Sequence, residues 1–343
     1  MVSLGPNDLG SGSGAIGGEA ARHDAWSRYW ASGALHSCVG SFGEDYGGAI
    51  AEFWRGVFRR LPESTRVLDI ATGNGALPRL LLQECPSDAV MCDAVDIAAI
   101  SPSWLGEAKP SEQRRVNFHG GVDAAVLPFP AGSFNLVVSQ YGIEYTDLSR
   151  TLPELLRVLA PDGGVALLVH HQSGRPVQLA GIELAHIEWM LAKDGLFDVA
   201  QKLVEPFVMA GTPDGRSRLA QDSKAVAARD RFNALLDELL KRAATVDGSD
   251  VLYETRDTLM AHLANASNQG VTKTRATVAE LGSEYRASAT RLKDLCSKAL
   301  TNEAIAALRG ALEIGLRTNI LVANVFEHSH HMGCTLLGFS RVR

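Results

Sequence analysis

The stretch Arg66-Val-Leu-Asp-Ile-Ala-Thr-Gly-Asn-Gly-Ala76 constrains the fold more than any other part of the chain. The apolar pair Val67 and Leu68 leads to an acid, Asp69. A turn carrying Gly73 and Gly75 follows, then a helix-like run from Leu77 to Gln83. Strand, tight loop and helix in that order open a doubly wound, mostly parallel sheet. Glycine is needed where φ must be positive, or where a ligand lies against bare main chain. A second acid, Asp96, closes the next apolar run and stands 21 residues beyond Gly75. That is the spacing at which a carboxylate takes the hydroxyls of a ribose, so the loop predicts a nucleoside-containing cofactor.

A dinucleotide-binding loop has a third glycine that lets helix and strand pack closely. Here that position is Pro78, which makes a dehydrogenase the less favoured alternative. The pattern Asp69…Gly73-x-Gly75 resembles the first motif of class I S-adenosylmethionine-dependent methyltransferases. Ala71 stands where glycine is frequent, and quinone-biosynthesis members look similar there. Gly120-Gly-Val-Asp123 through Phe129 resembles the family's segment after the third strand. Ser133 through Ser139 resembles its fourth strand, with Asn135 where aspartate is usual. Leu155 through Gly164 resembles the turn into its fifth, with Asp162 a variant. The resemblance runs from Arg66 to about Ser173.

It implies a Rossmann-like, seven-stranded methyltransferase sheet and methyl transfer from S-adenosylmethionine to a small-molecule acceptor, a specialised metabolite or quinone-like compound. It implies a cofactor site of Asp69, Ala71, Gly73, Gly75, Asp96, Ile97, Asp123, Ala124, Ser139 and Gln140. A non-catalytic module that holds the cofactor is the other reading. In this family the segment before the first strand often folds over the cofactor, which nominates Tyr29, Trp30 and Tyr46 for the pocket; ordinary core packing explains these aromatics as well.

Composition narrows the partners. A net charge of −6 supplies no basic footprint for nucleic acid. No apolar run reaches membrane-spanning length. Five scattered cysteines without a Cys-x-x-Cys pair suit a reducing, cytoplasmic setting. Residues 1–21 are rich in Gly and Ser at their start and read as a disordered tail, neither signal peptide nor anchor.

Order is expected from residue 22, with a core over 22–175. An amphipathic helix over 48–61 places Ile50, Phe53, Trp54, Val57, Phe58 and Leu61 on one face. Apolar runs predict strands at 89–96, 115–119, 134–139 and 165–170, with a helix at 148–159. From 176 the pattern turns helical, at 182–209, 226–243, 272–300 and 301–316. The span 176–316 thus reads as a large helical insertion, a lid or substrate cap, or else a homodimer interface. Residues 317–343 close the core sheet.

Ligands of open α/β sheets sit at the carboxyl ends of the strands. His170 and His171 follow strand five, and either is a candidate base, because histidine titrates near neutral pH. Tyr141, Glu144 and Tyr145 follow strand four as orienting groups. Both histidines bonding only within their loop is the other reading. His328, His330, His331 and Cys334 invite a metal, but such clusters before a strand read better as polar loop, so none is expected.

Overall fold

The computed structural model describes residues 12–36, 47–85, 87–244 and 248–340. Seven strands form one sheet: β1 (Arg66–Ile70), β2 (Met91–Asp96), β3 (Val116–Gly120), β4 (Phe134–Gln140), β5 (Leu159–Val169), β6 (Leu321–Glu327) and β7 (His330–Phe339). Their order is β3-β2-β1-β4-β5-β7-β6. β1 to β5 run parallel, and β7 lies antiparallel to both β5 and β6. The expected doubly wound, mostly parallel sheet with a large helical block before the last strands is what the chain forms.

Helices cover both faces, which is why the central strands are mostly buried and apolar on both sides. On one face α2 (Gly48–Phe58) and α3 (Ala76–Glu84) bury Trp54, Phe58 and Leu81 against Val67, Leu136 and Leu168. On the other, α4 (Leu148–Val158) lies with Leu155 and Val158 against Leu68, Val137 and Val165.

The insertion contains α5 (Arg175–Leu191), α6 (Leu196–Met209), α7 (Pro213–Gln221), α8 (Ser223–Ala243), α9 (Asp250–Ala264) and α10 (Val271–Lys298). It has its own core, including Ile187, Leu203, Leu235, Leu252, Leu259 and Val278. A fourth predicted helix, α11 (Asn302–Leu316), belongs elsewhere. Its Ile305, Leu308 and Leu312 pack in the sheet core, so it is the crossover into β6. The separate helical core thus does not include α11.

Other departures have local causes. The run 182–209 is two helices, because Asp194 takes a left-handed φ of 56° and Gly195 caps α6. Two further helices, α7 and α9, lie between the expected ones; α7 buries only Gly215, while α9 buries Val251, Leu252, Thr255, Leu259 and Leu263. β5 starts six residues before the expected Val165: Leu159 pairs with Phe134 and Gly164 with Leu136, across a register shift. α1 (Gly12–Ala31) begins ten residues before the expected order at 22. Among the described residues no helix is long and apolar enough to cross a membrane.

Candidate active site

β1 is flanked by β2 and β4, so the chain direction switches sides there, and ligands of such sheets bind beyond the strand ends at that point. A cavity of ≈ 200 Å³ opens at this place. A water needs about 10–15 Å³ by the same measure, so there is room for a multi-atom ligand. Asp69, Ala71 and Thr72 follow from β1, Val95, Asp96 and Ile97 from β2, and Val122, Asp123 and Ala124 from the loop after β3. Gln140, Tyr141, Gly142, Tyr145 and Asp147 come from the end of β4. Arg22, His23, Trp26, Trp30 and His36 close it from the N-terminal side.

Asp69 is 1% exposed, and neither carboxylate oxygen has a hydrogen-bond partner among the described residues. Burial pushes its pKa up to about 8. The nearby Thr72 hydroxyl offsets part of that, and the Asp96 charge adds to the rise. Asp96 differs. Its Oδ2 accepts from Gly73 N and its Oδ1 from Ala98 N, both at 2.8 Å. Burial still raises its pKa, against the lowering by those two amides. Asp123 Oδ1 accepts from Ala125 N at 2.9 Å, so it shapes its turn while lining the cavity. Gln140 accepts from Trp54 Nε1 through Oε1, and its buried Nε2 has no partner among the described residues.

The glycine loop is shaped by the protein's own aromatics as well as by any ligand. Gly73 and Gly75 have φ of 56° and 83°. A Cβ on Gly73 would lie 2.5 Å from the Trp30 ring, and one on Gly75 would lie 2.4 Å from Phe118. Neither glycine is in the cavity wall. Between them Asn74, absent from the sequence reading, donates from Nδ2 to the carbonyls of Trp30 and Ala34 and accepts from Ser101 N. Pro78 sits in the first turn of α3, where a missing N–H costs nothing.

Several nominated residues lie elsewhere. Ser139 is fully buried and donates to Ile70 O at 2.8 Å, tying β4 to β1, because strand alternation turns it away from its neighbour Gln140. Tyr29 sits behind the wall with its hydroxyl on His36 O. Trp30 and Tyr145 do line the cavity, and Tyr46 lies outside the described residues.

His170 and His171 are not in the wall either. His170 is 1% exposed, its Nδ1 is 2.8 Å from Glu144 Oε1, and the Tyr141 ring stacks on it at 4.0 Å. Tyr141 donates its hydroxyl to Met332 O, so it offers the cavity a ring and not a proton. His171 is held by Ser173 Oγ and Asn302 Oδ1. Of the C-terminal cluster, His328 lies in the β6–β7 turn and His330, His331 and Cys334 lie in β7. His331 Nε2 lies 3.0 Å from Gly333 O, and Cys334 Sγ donates to Asn324 Oδ1.

A glycine loop at the β1 switch point, an acid ending each of β1 and β2, and an antiparallel β7 define a Rossmann-like methyltransferase fold. Residues 67–163 match the family model for a methyltransferase domain. The chain is 36% identical over 107 residues to the demethylmenaquinone methyltransferase of Thermus thermophilus, covering 30% of this chain and 46% of that one. It is 38% identical over 103 residues to the malonyl-[acyl-carrier protein] O-methyltransferase of Geobacter sulfurreducens, covering 29% and 37%. It resembles the structure of Burkholderia thailandensis 1,6-didemethyltoxoflavin-N1-methyltransferase with a TM-score of 0.36 and 17% identity, over 48% of this chain and 68% of that one. The chain spans less than half the length of these two curated relatives. Residues 67–163 thus match a methyltransferase domain, set in a sheet of Rossmann-like order.

Proposed function

We propose that this protein binds S-adenosylmethionine and directs its methyl group to a small, planar acceptor held at the aromatic end of the cavity. The observation that carries the reading is Asp69: a buried carboxylate without a partner, facing a cavity. Such a group is costly unless a cation meets it. The cofactor's amino acid end supplies an ammonium, and the Gln140 Nε2 amide suits its carboxylate. Asp96, with lone pairs to spare beyond its two backbone bonds, suits the ribose hydroxyls, and Ile97 and Ala124 suit the base.

When bound, the cofactor supplies an activated methyl group with its own leaving group. What remains for the protein is to position the acceptor and exclude water. Trp26, Trp30, Tyr141 and Tyr145 present flat faces for a conjugated ring. A relative named for demethylmenaquinone supports a quinone-like acceptor. No proton is routed here through His170 or His171, since neither reaches the wall; the histidines that line the cavity are His23 and His36.

Calorimetric titration of the full chain with S-adenosylmethionine and with NAD tests this. Saturable binding of the first alone is expected. Binding of NAD without S-adenosylmethionine overturns the assignment, and binding of S-adenosylmethionine without turnover on any quinone or phenol leaves the non-catalytic module.

A further inference from the structure

The insertion contributes no residue to the cavity wall, yet it holds the helix that closes the cavity. Arg22, His23, Trp26 and Trp30 of α1 all line it. Asp294 of α10, only 7% exposed, accepts from Arg22 Nε at 2.8 Å and from Trp26 Nε1 at 3.2 Å. One turn earlier, the Arg291 guanidinium stands 3.9 Å from the centre of the Tyr29 ring and 5.8 Å from that of Trp26. Residues 291 and 294 share one face of α10, and 22, 26 and 29 share one face of α1, so the two helices meet along a continuous seam.

The opposite side of α1 is fastened to the core. Asn74 holds the carbonyls of Trp30 and Ala34, and Ser27 Oγ accepts from Ala99 N. α1 is thus strung between the cofactor loop and the cap. Tyr145, packed with Val177, Ala180 and Leu295, is a second link between cavity and cap. Asp294 is the acid in the seam that meets both Arg22 and Trp26. Through one carboxylate it sets the place of two side chains that wall the cavity.

We propose that Asp294 is a positioning residue. It fixes Arg22 and Trp26 over the cavity, and so makes retention of the bound molecule depend on the packing of the cap. This rests on the reading of the cavity as the cofactor site. Breaking the pair leaves Arg22 and Trp26 without their buried acceptor, which favours an outward-rotated α1. The role differs from a lid made of the cap itself: the cap acts at a distance, by gripping α1.

Asp294→Asn keeps a carbonyl for Trp26 but loses the charge facing Arg22; Asp294→Ala loses both. Hydrogen exchange on the ligand-free full chain reads the seam directly. Amides of residues 20–31 should exchange about tenfold faster in Asp294→Ala, the scale of one lost charge-assisted hydrogen bond, with Asp294→Asn between it and wild type. Amides of β1 and β2 should not change. S-adenosylhomocysteine, followed by tryptophan fluorescence, should dissociate faster in the same rank order. Trp26→Phe, which keeps a benzene ring there but removes the pyrrole ring and its N–H, should shift the exchange readout in the same direction by less, and serves if Asp294→Ala does not fold. Unchanged exchange over 20–31 overturns the proposal, as does acceleration shared equally by β1 and β2, which would mark a general loss of stability. Failure of the wild type to bind S-adenosylhomocysteine would sink the cofactor reading instead, with the exchange data on free protein still judging the clasp.

Discussion

A Cβ placed on Gly142 would lie 2.6 Å from the Cβ of Ala71. The loops after β1 and β4 therefore touch at the floor of the cavity with no room for another methyl. Ala71 itself has a left-handed φ of 56°, at a position where the resembling family often has glycine. Gly142→Ala should force the two loops apart, costing about 1–3 kcal/mol of stability, the usual scale of overpacking. Cofactor affinity should fall with it. Ala71→Gly should fold, and should restore part of that loss in the double variant. Urea denaturation and titration of the four proteins check this; a Gly142→Ala protein equal to wild type in both removes the contact as a constraint.

Gly73 and Trp30 form a similar pair. Gly73→Ala adds a Cβ in left-handed backbone, costing about 1–2 kcal/mol, and drives it into the Trp30 ring, 2.5 Å away. In a Trp30→Ala background only the backbone cost should remain. A double-mutant cycle in stability should therefore give a coupling between the sites. Strict additivity would mean the ring is free to move aside.

Asp69 predicts a pH dependence with a definite sign. Folded and without ligand, it holds its proton up to about pH 8; the ordinary value is 3.8. Between those limits the folded state binds more protons than the unfolded one, so this group erodes stability as pH rises from about 4 to 8. A bound cation favours the ionised form. Cofactor binding near neutrality should then release a proton, visible as a binding enthalpy that changes with the ionisation enthalpy of the buffer. Asp69→Asn should abolish that release, flatten the stability profile and weaken binding. Buffer-independent enthalpies in the wild type would refute the assignment of the ammonium to Asp69.

The sheet was legible because its signals are local: apolar runs, an acid at the end of a strand, glycines at a turn. Val67 to Gly75 and the run 89–96, which forms β2 over Met91–Asp96, could be placed from the sequence, and Asp69, Asp96, Ile97, Asp123 and Gln140, which the resemblance nominated, do converge on one cavity. What the sequence concealed depends on side-chain direction and on contacts far apart in the chain. Ser139 and Gln140 are neighbours, yet one ties two strands while the other faces the cavity. His170 follows β5 but turns inward onto Glu144. Asp294 meets Arg22 across 272 positions, and no periodicity reports such a pair. Trp30 over Gly73 explains why one glycine is needed without lining the cavity.

The pairing of Glu144 with His170 separates a structural from a chemical role for the segment after β4. Glu144 Oε1 accepts from both the backbone N–H and ring Nδ1 of His170, each at 2.8 Å. Both side chains are essentially inaccessible, at 0% and 1% exposed. Glu144→Ala would strand two buried donors, at about 1–3 kcal/mol for each group left unsatisfied. Glu144→Gln keeps an oxygen at the same place and should cost much less. The Tyr141 ring, stacked on His170 and lining the cavity, would carry any shift of the imidazole to the acceptor side. Methyl transfer should accordingly decline only as far as stability does, with KM for the acceptor rising before kcat falls. Glu144→Gln should therefore retain most of the turnover, with a pH–rate profile like that of wild type. A large fall in kcat at an unchanged melting temperature, with the basic limb of the profile lost, would instead make His170 the proton acceptor and Glu144 its orienting group.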